Sequence, residues 1–179
     1  VESQTHSFDR IIVAAGVHSK PLIRQLTGVK VPIQAERGYH LMVDDKRDVL
    51  PFPISSADRK FIMTPMSGGL RLAGTVEYAD VESPPNMKRS EMLFQLGDEM
   101  FESRLHPLKQ GEKWMGNRPS TVDSLPVIDS IWDGNVLLAF GHQHLGLTQA
   151  AITADLLLEL IEGKPTSIDL SPFSLQRFA

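Results

Sequence analysis

Apolar positions along this chain follow two different periods, and the switches between them mark its elements. The run Phe8-Asp-Arg-Ile-Ile-Val-Ala-Ala15 becomes wholly apolar before Gly16, the pattern of a strand buried on both faces. A short helix is predicted over residues 19–26, with Pro21 tolerated in its first turn and Gly28 just past its end. Residues 31–43 read as extended. Residues 61–65 and 70–76 are β-prone runs joined by Ser67-Gly68-Gly69, which predicts a hairpin, and Pro84-Pro85 closes that unit. Met92, Leu93, Leu96, Met100 and Phe101 repeat at helical spacing, predicting a helix over residues 87–105. Residues 112–117 read as a strand that the Arg118-Pro119 step should stop. Residues 136–140 read as the last strand. The final helix carries Ala151, Ile152, Leu156, Leu160 and Ile161 on one stripe, widened by Leu157 and Leu158. Thr148 is its predicted N-cap and Gly163 its C′ residue, with Pro165 close behind. Internal repeats and low-complexity stretches are absent.

The 179 residues suffice for one well-buried core, and the hydrophobic share of 41% with 22% charged is that of an ordinary globular protein. A net charge of −4 argues against nucleic acid as a partner, because phosphate binding needs a basic face. Without cysteine, disulfides and thiolate metal sites are excluded. The longest apolar stretch is broken by Asp155, Glu159 and Glu162, so no transmembrane segment is expected. The chain starts at Val1 with a strand close behind and no visible signal peptide, as if entered partway through a larger protein. Two buried-type strands near its ends bracket a hairpin-rich middle, which places ends and middle in different layers.

Candidate chemistry concentrates where the strand over residues 136–140 meets the last helix. The turn Gly141-His-Gln-His-Leu-Gly-Leu-Thr148 aims unpaired backbone N–H groups, and the positive end of a helix dipole, at whatever sits above it. Electron-rich or anionic cofactor atoms are the natural guests, yet no Gly-x-Gly-x-x-Gly follows a strand. His142 and His144 lack neighbouring carboxylate or Cys ligands, so a metal site is not expected. Arg118 can meet a carboxylate with two parallel charge-assisted hydrogen bonds; the competing reading is a surface arginine, or one paired with Asp123. Tyr39 and His40 should point to opposite faces of their strand. Glu77 is either a pocket acid or a solvated hairpin residue. No Ser/His/Asp or Cys/His nucleophilic set is evident.

Five blocks occur together in order: Ile11-Ile-Val-Ala-Ala-Gly-Val-His-Ser19, Glu36-Arg-Gly-Tyr-His40, Leu72-Ala-Gly-Thr-Val-Glu77, Gly116-Asn-Arg-Pro-Ser-Thr-Val-Asp-Ser-Leu-Pro126 and residues 141–148. In this order and spacing the chain resembles the D-amino-acid dehydrogenases of the D-amino-acid oxidase-like flavoproteins, across residues 8–178. The resemblance implies a mixed α/β (α+β) fold: an antiparallel-sheet substrate domain over residues 29–135, and terminal strand–helix elements of a Rossmann-like FAD-binding domain over residues 1–28 and 136–179. It implies the C-terminal part of an enzyme that oxidises a D-amino acid, D-proline or hydroxy-D-proline among the candidates, to its imine by hydride transfer to flavin. The electron acceptor stays open. The alternatives are a sarcosine or glycine oxidase-like enzyme, or a non-catalytic substrate-domain fragment without bound FAD. The expected location is cytoplasmic, or peripheral at the inner membrane face, and not secreted.

The same resemblance implies roles for individual residues. Arg118 would hold the substrate carboxylate, with Tyr39 and His144 bounding the substrate. Ala15 and Gly16 would lie against the cofactor, since a strand end without side chains lets a ligand approach closely. Gly141, His142, Gln143, His144, Leu145, Gly146, Leu147 and Thr148 would line the flavin, their backbone donors stabilising charge as the ring is reduced.

Overall fold

A computed structural model describes residues 4–102, 105 and 111–179. By contact the chain divides into two compact units, residues 1–35 with 118–179, and residues 36–117. The two ends of the chain therefore pack with each other in one unit. Residues 29–35 and 118–135, which the sequence groups with the middle, pack with the ends.

In the first unit, β1 (Ile11–Val13), β8 (Val136–Phe140) and β7 (Val127–Ile131) form a sheet in the order β1-β8-β7. β1 runs parallel to β8, Val13 beside Leu138, and β7 runs antiparallel to it, Ile128 beside Ala139. The central strand is buried nearly throughout. β1 departs from the expected two-sided burial: Ile11 is 52% and Ile12 49% exposed, because β1 is the sheet edge and only Val13 is covered. A 3-10 turn, Gly16–His18, leads into α1 (Ser19–Thr27), which ends as predicted on Gly28 at φ +78°. Ile23 of α1 is fully buried, and Lys20 Nζ donates to the Ile33 carbonyl at 2.9 Å.

α3 (Gly146–Ile161) covers β7 and β8, with Leu156 and Leu157 packed on Ile128 and Leu137. The Gly163 prediction holds: at φ +66° its N–H reaches the Leu160 carbonyl and that of Lys164 reaches Glu159, the two bonds of a Schellman cap. One other expectation fails and one holds in part. Thr148 lies inside the first turn, Leu145 is the N-cap, and no side chain caps the helix. Of the predicted stripe, Leu156 and Leu157 are buried and Leu160 and Ile161 pack partly buried on the same core, whereas Ile152 and Leu158 are 40% and 52% exposed and Thr153 is buried in their place. A helix this rich in leucine has several equivalent apolar faces, and its neighbours select one. Among the described residues no helix is long and apolar enough to cross a membrane.

The second unit is built on a sheet of β2 (Ile33–Val43), β3 (Ile54–Ser56), β4 (Phe61–Met66), β5 (Gly69–Ala79) and β6 (Gly111–Thr121) in the order β3-β4-β5-β2-β6. The predicted hairpin is present, Met66 pairing Gly69 across Ser67 and Gly68. α2 (Lys88–Met100) packs on β5, and Leu93 and Phe94 join Leu41, Phe61, Met63, Leu70 and Leu72 in one core. Met92 and Met100, expected on the apolar stripe, are 42% and 39% exposed. α2 also stops short of residue 105, of which residues 103 and 104 lie outside the described set. Strand β6 continues through Arg118 and Pro119 rather than stopping there. It is the sheet edge, the place in a sheet where proline is tolerated.

Candidate active site

Strand polarity in the first unit brings the candidate cofactor residues together. β1 and β8 are parallel neighbours with Val13 beside Leu138, so Ala15 and Gly16 leave β1 level with the point where Phe140 and Gly141 leave β8. Turns at the carboxyl ends of adjacent parallel strands form the crevice where open α/β sheets take their ligands. Ala15 is exposed, and Gly16 sits at φ +57° with nothing within 4 Å of where a Cβ would stand. That glycine is needed for backbone conformation and leaves open space above itself.

The loop after β8 is built by two left-handed residues. Gly141 adopts φ +83°, and a Cβ there would meet the Thr121 methyl at 2.9 Å. Gln143 adopts φ +52°, uncommon for a residue with a side chain. Leu145 N–H then bonds the His142 carbonyl at 2.9 Å, and the helix starts. The N–H groups of Gly146, Leu147 and Thr148 in the first turn have no intrahelical acceptor by helix geometry, no side chain caps them, and that turn holds no acidic residue. Leu145 and Leu147 are 41% and 94% exposed beside these donors. Bare donors with apolar side chains around them suit the electron-rich edge of a planar ring.

His142 is turned the other way. Its Nε2 lies 3.0 Å from the Thr153 hydroxyl, seated on α3, and burial holds its pKa below the ordinary 6.5. The imidazole is thus a neutral strut between loop and helix. His144 is exposed. Among the described residues no group of three His, Cys, Asp or Glu side chains could hold a metal ion.

Arg118 reaches the same region through β6. Ser120 and His142 form an antiparallel bridge, joining the end of β6 to the start of the loop. Arg118 stands two positions before Ser120 on the same side of the strand, roughly 7 Å along it. Asp123, the carboxylate the sequence offers as its partner, is instead bound by Arg177 at 2.7 Å. Arg118, Ala15, Gly16 and the loop over residues 141–148 therefore belong to one unit, Ala15 and Gly16 level with the start of the loop and Arg118 two residues from the bridge that joins β6 to it.

Tyr39 does not fit the role of a substrate wall. It is 2% exposed, its hydroxyl donates to Glu77 Oε2 at 2.5 Å and accepts the Asn86 N–H at 3.1 Å. Arg37 and Arg89 approach the same carboxylate at 3.6 and 3.8 Å. Arg37, 1% exposed, also donates to the carbonyls of Asp80, Val81, Ser83 and Pro84. These bonds offset the cost of burying its charge and pin the segment after β5. Glu77 is neither a pocket acid nor a solvated hairpin residue but the centre of that knot. His40, on the opposite face as expected, stacks on Trp114 at 4.8 Å between ring centres.

Sequence reasoning missed Ser120, Thr121 and Thr153, which position the loop. Ser120 and Thr121 stood inside the block over residues 116–126, but nothing local said what they would touch.

Comparison with known proteins matches residues 1–160 to the family described as FAD dependent oxidoreductase. The chain is 39% identical over 173 residues to a D-amino-acid oxidase of Bradyrhizobium diazoefficiens, covering 95% of this chain and 41% of that protein. It is 28% identical over 169 residues to a D-amino acid dehydrogenase of Paramagnetospirillum magneticum, covering 93% and 40%. The chain thus spans about two fifths of the length of these relatives. Among solved structures, glycine oxidase from Geobacillus kaustophilus matches with a TM-score of 0.74 at 22% identity, over 95% of this chain and 46% of that one. L-proline dehydrogenase from P. horikoshii matches with 0.69 at 21% identity, over 94% and 46%.

Proposed function

This chain belongs to the FAD dependent oxidoreductase family, and on that footing we propose that it forms the C-terminal part of an enzyme oxidising a D-amino acid to its imine. The observation that carries the reading is the Ser120–His142 bridge, which sets the strand end bearing Arg118 against the donor-lined loop. The names of the two relatives above, both D-amino-acid oxidoreductases, support that substrate class over glycine or sarcosine.

Arg118 binds the substrate carboxylate through its planar fork, which fixes the rotation of the α-carbon as well as its position. The uncapped N–H groups of Gly146, Leu147 and Thr148 would hold the electron-rich edge of FAD, with Ala15 and Gly16 giving close approach. FAD, when bound, supplies the two-electron acceptor that converting an amine to an imine requires. The loop's donors favour negative charge beside them without reorganising, because Gly141, His142 and the helix hold them fixed. No side chain of the cluster is needed as a strong base, since amine oxidation of this kind depends chiefly on placement. Water then adds to the imine carbon and the C–N bond breaks, giving the 2-oxo acid and releasing the nitrogen as ammonia, or leaving it as the ring-opened amine when the substrate is cyclic.

The test is steady-state kinetics of the full-length protein on D-proline, hydroxy-D-proline, D-alanine, glycine and sarcosine, with Arg118→Ala beside wild type. A charge-assisted bidentate contact is worth about 2–3 kcal/mol, so KM for the preferred D-amino acid should rise by about 30- to 150-fold. An unchanged KM and turnover would refute the assignment of Arg118. Preference for glycine or sarcosine would refute the substrate class.

A further inference from the structure

We propose that Arg177 is a positioning residue for this site, holding the turn after Arg118 so that Thr121 sets Gly141 at the head of the loop. The inference rests on the reading of Arg118 and the loop given above. It concerns a residue that touches neither substrate nor cofactor.

The C-terminal segment is first pinned to the sheet. Asp129 Oδ2, on β7, accepts the Ser174 hydroxyl at 2.9 Å and the Leu175 N–H at 2.7 Å. Ser174 caps the 3-10 turn Leu175–Phe178 by accepting the Gln176 N–H at 3.2 Å, and Leu175 is buried. From this turn Arg177 reaches back. Its Nε donates to Asp123 Oδ2 at 2.7 Å, one terminal nitrogen to the carbonyls of Leu125 and Pro126 at 2.8 and 3.1 Å, and the other to the Ser174 carbonyl at 3.0 Å. The guanidinium also lies 4.3 Å from the Phe178 ring centre. A rigid planar fork can serve acceptors on several sides at once, which a lysine ammonium cannot.

The coupling onward is direct. The Leu125 carbonyl that accepts from Arg177 also accepts the Thr121 hydroxyl at 2.9 Å. Thr121 is 6% exposed, and its methyl fills the space where a Cβ on Gly141 would stand. Its neighbour Ser120 makes the bridge to His142. Movement of Leu125 is therefore passed to Thr121 and on to both strands that meet at the site. A fixed Thr121 keeps Gly141, and with it the donor row, in place.

The experiment uses the full-length protein with Arg177→Lys, Arg177→Ala and Thr121→Val, measuring KM and kcat, the visible flavin spectrum, and amide hydrogen exchange. Thr121→Val keeps a methyl against Gly141 but cannot donate to Leu125. Arg177→Lys should raise exchange at residues 121–126 and 141–146, shift the flavin band, and raise KM by about tenfold, since small misplacements of a binding group are costly. Thr121→Val should reproduce that exchange pattern with Arg177 intact, which keeps the test decisive if Arg177→Ala fails to fold. A lowered melting temperature with wild-type KM, spectrum and exchange at residues 141–146 would overturn the proposal. Failure of the substrate reading itself is read separately, from Arg118→Ala.

Discussion

The Nε2 atom of His142 lies 3.0 Å from the hydroxyl of Thr153, two turns into α3, so the loop at the carboxyl end of β8 is bolted to the helix that follows it. The bolt works best with a neutral imidazole, because burial penalises the charged form. The folded pKa lies below the unfolded value of about 6.5, so the stabilisation is complete above pH 6.5 and is lost as pH falls through the folded pKa. Stability measured from pH 7.5 to 5 should decline, and His142→Asn should flatten that slope. An NMR titration placing His142 above 6.5 would contradict this account.

Gly141→Ala should damage fold and site together. The substitution places a Cβ 2.9 Å from the Thr121 methyl at a φ of +83° that side chains disfavour. The left-handed conformation alone costs about 1–2 kcal/mol, and the contact adds to it. Thermal unfolding should show the loss. Gly16→Ala, at φ +57° with open space around its Cβ, should lose only the conformational part.

Tyr39→Phe should act on stability rather than on substrate. It removes the donor to Glu77 and the acceptor for Asn86 inside a buried knot, a loss of about 1–3 kcal/mol. Denaturant unfolding should register that loss while KM stays at its wild-type value. A raised KM with unchanged stability would restore Tyr39 as a substrate wall.

The face of α2 can be checked by truncation. Leu93 is 1% exposed in the core of its unit, so Leu93→Ala should cost about 2–5 kcal/mol. Met92, at 42% exposure, should cost under about 0.5 kcal/mol on the same change.

Features written in a few adjacent residues were legible before any coordinates. The Gly28 and Gly163 helix ends, the Ser67-Gly68 hairpin and the strand over residues 136–140 all depend on local backbone preference. The facing of α2 and α3 was not legible, because Met92, Ile152 and Leu158 are as apolar as the neighbours that are buried. Strand β7 escaped because Asp129 and Ser130 interrupt its apolar run, and the contacts that account for Asp129, with Ser174 and Leu175, lie far along the chain. Of the candidate site, Arg118 and the glycine loop were readable as chemistry. What holds them was not: Asp123, Leu125 and Pro126, which Arg177 ties to the C-terminal turn, lie 51 to 54 residues away from it along the chain.

Strand β1 carries a consequence for anyone handling this chain in isolation. Its outer backbone groups have no neighbouring strand among the described residues, and Ile11 and Ile12 lie half-exposed along that rim. A bare, greasy border of this sort invites copies to zip onto one another. Light scattering at rising protein concentration should reveal self-association, and a lysine placed at Ile12 should suppress it.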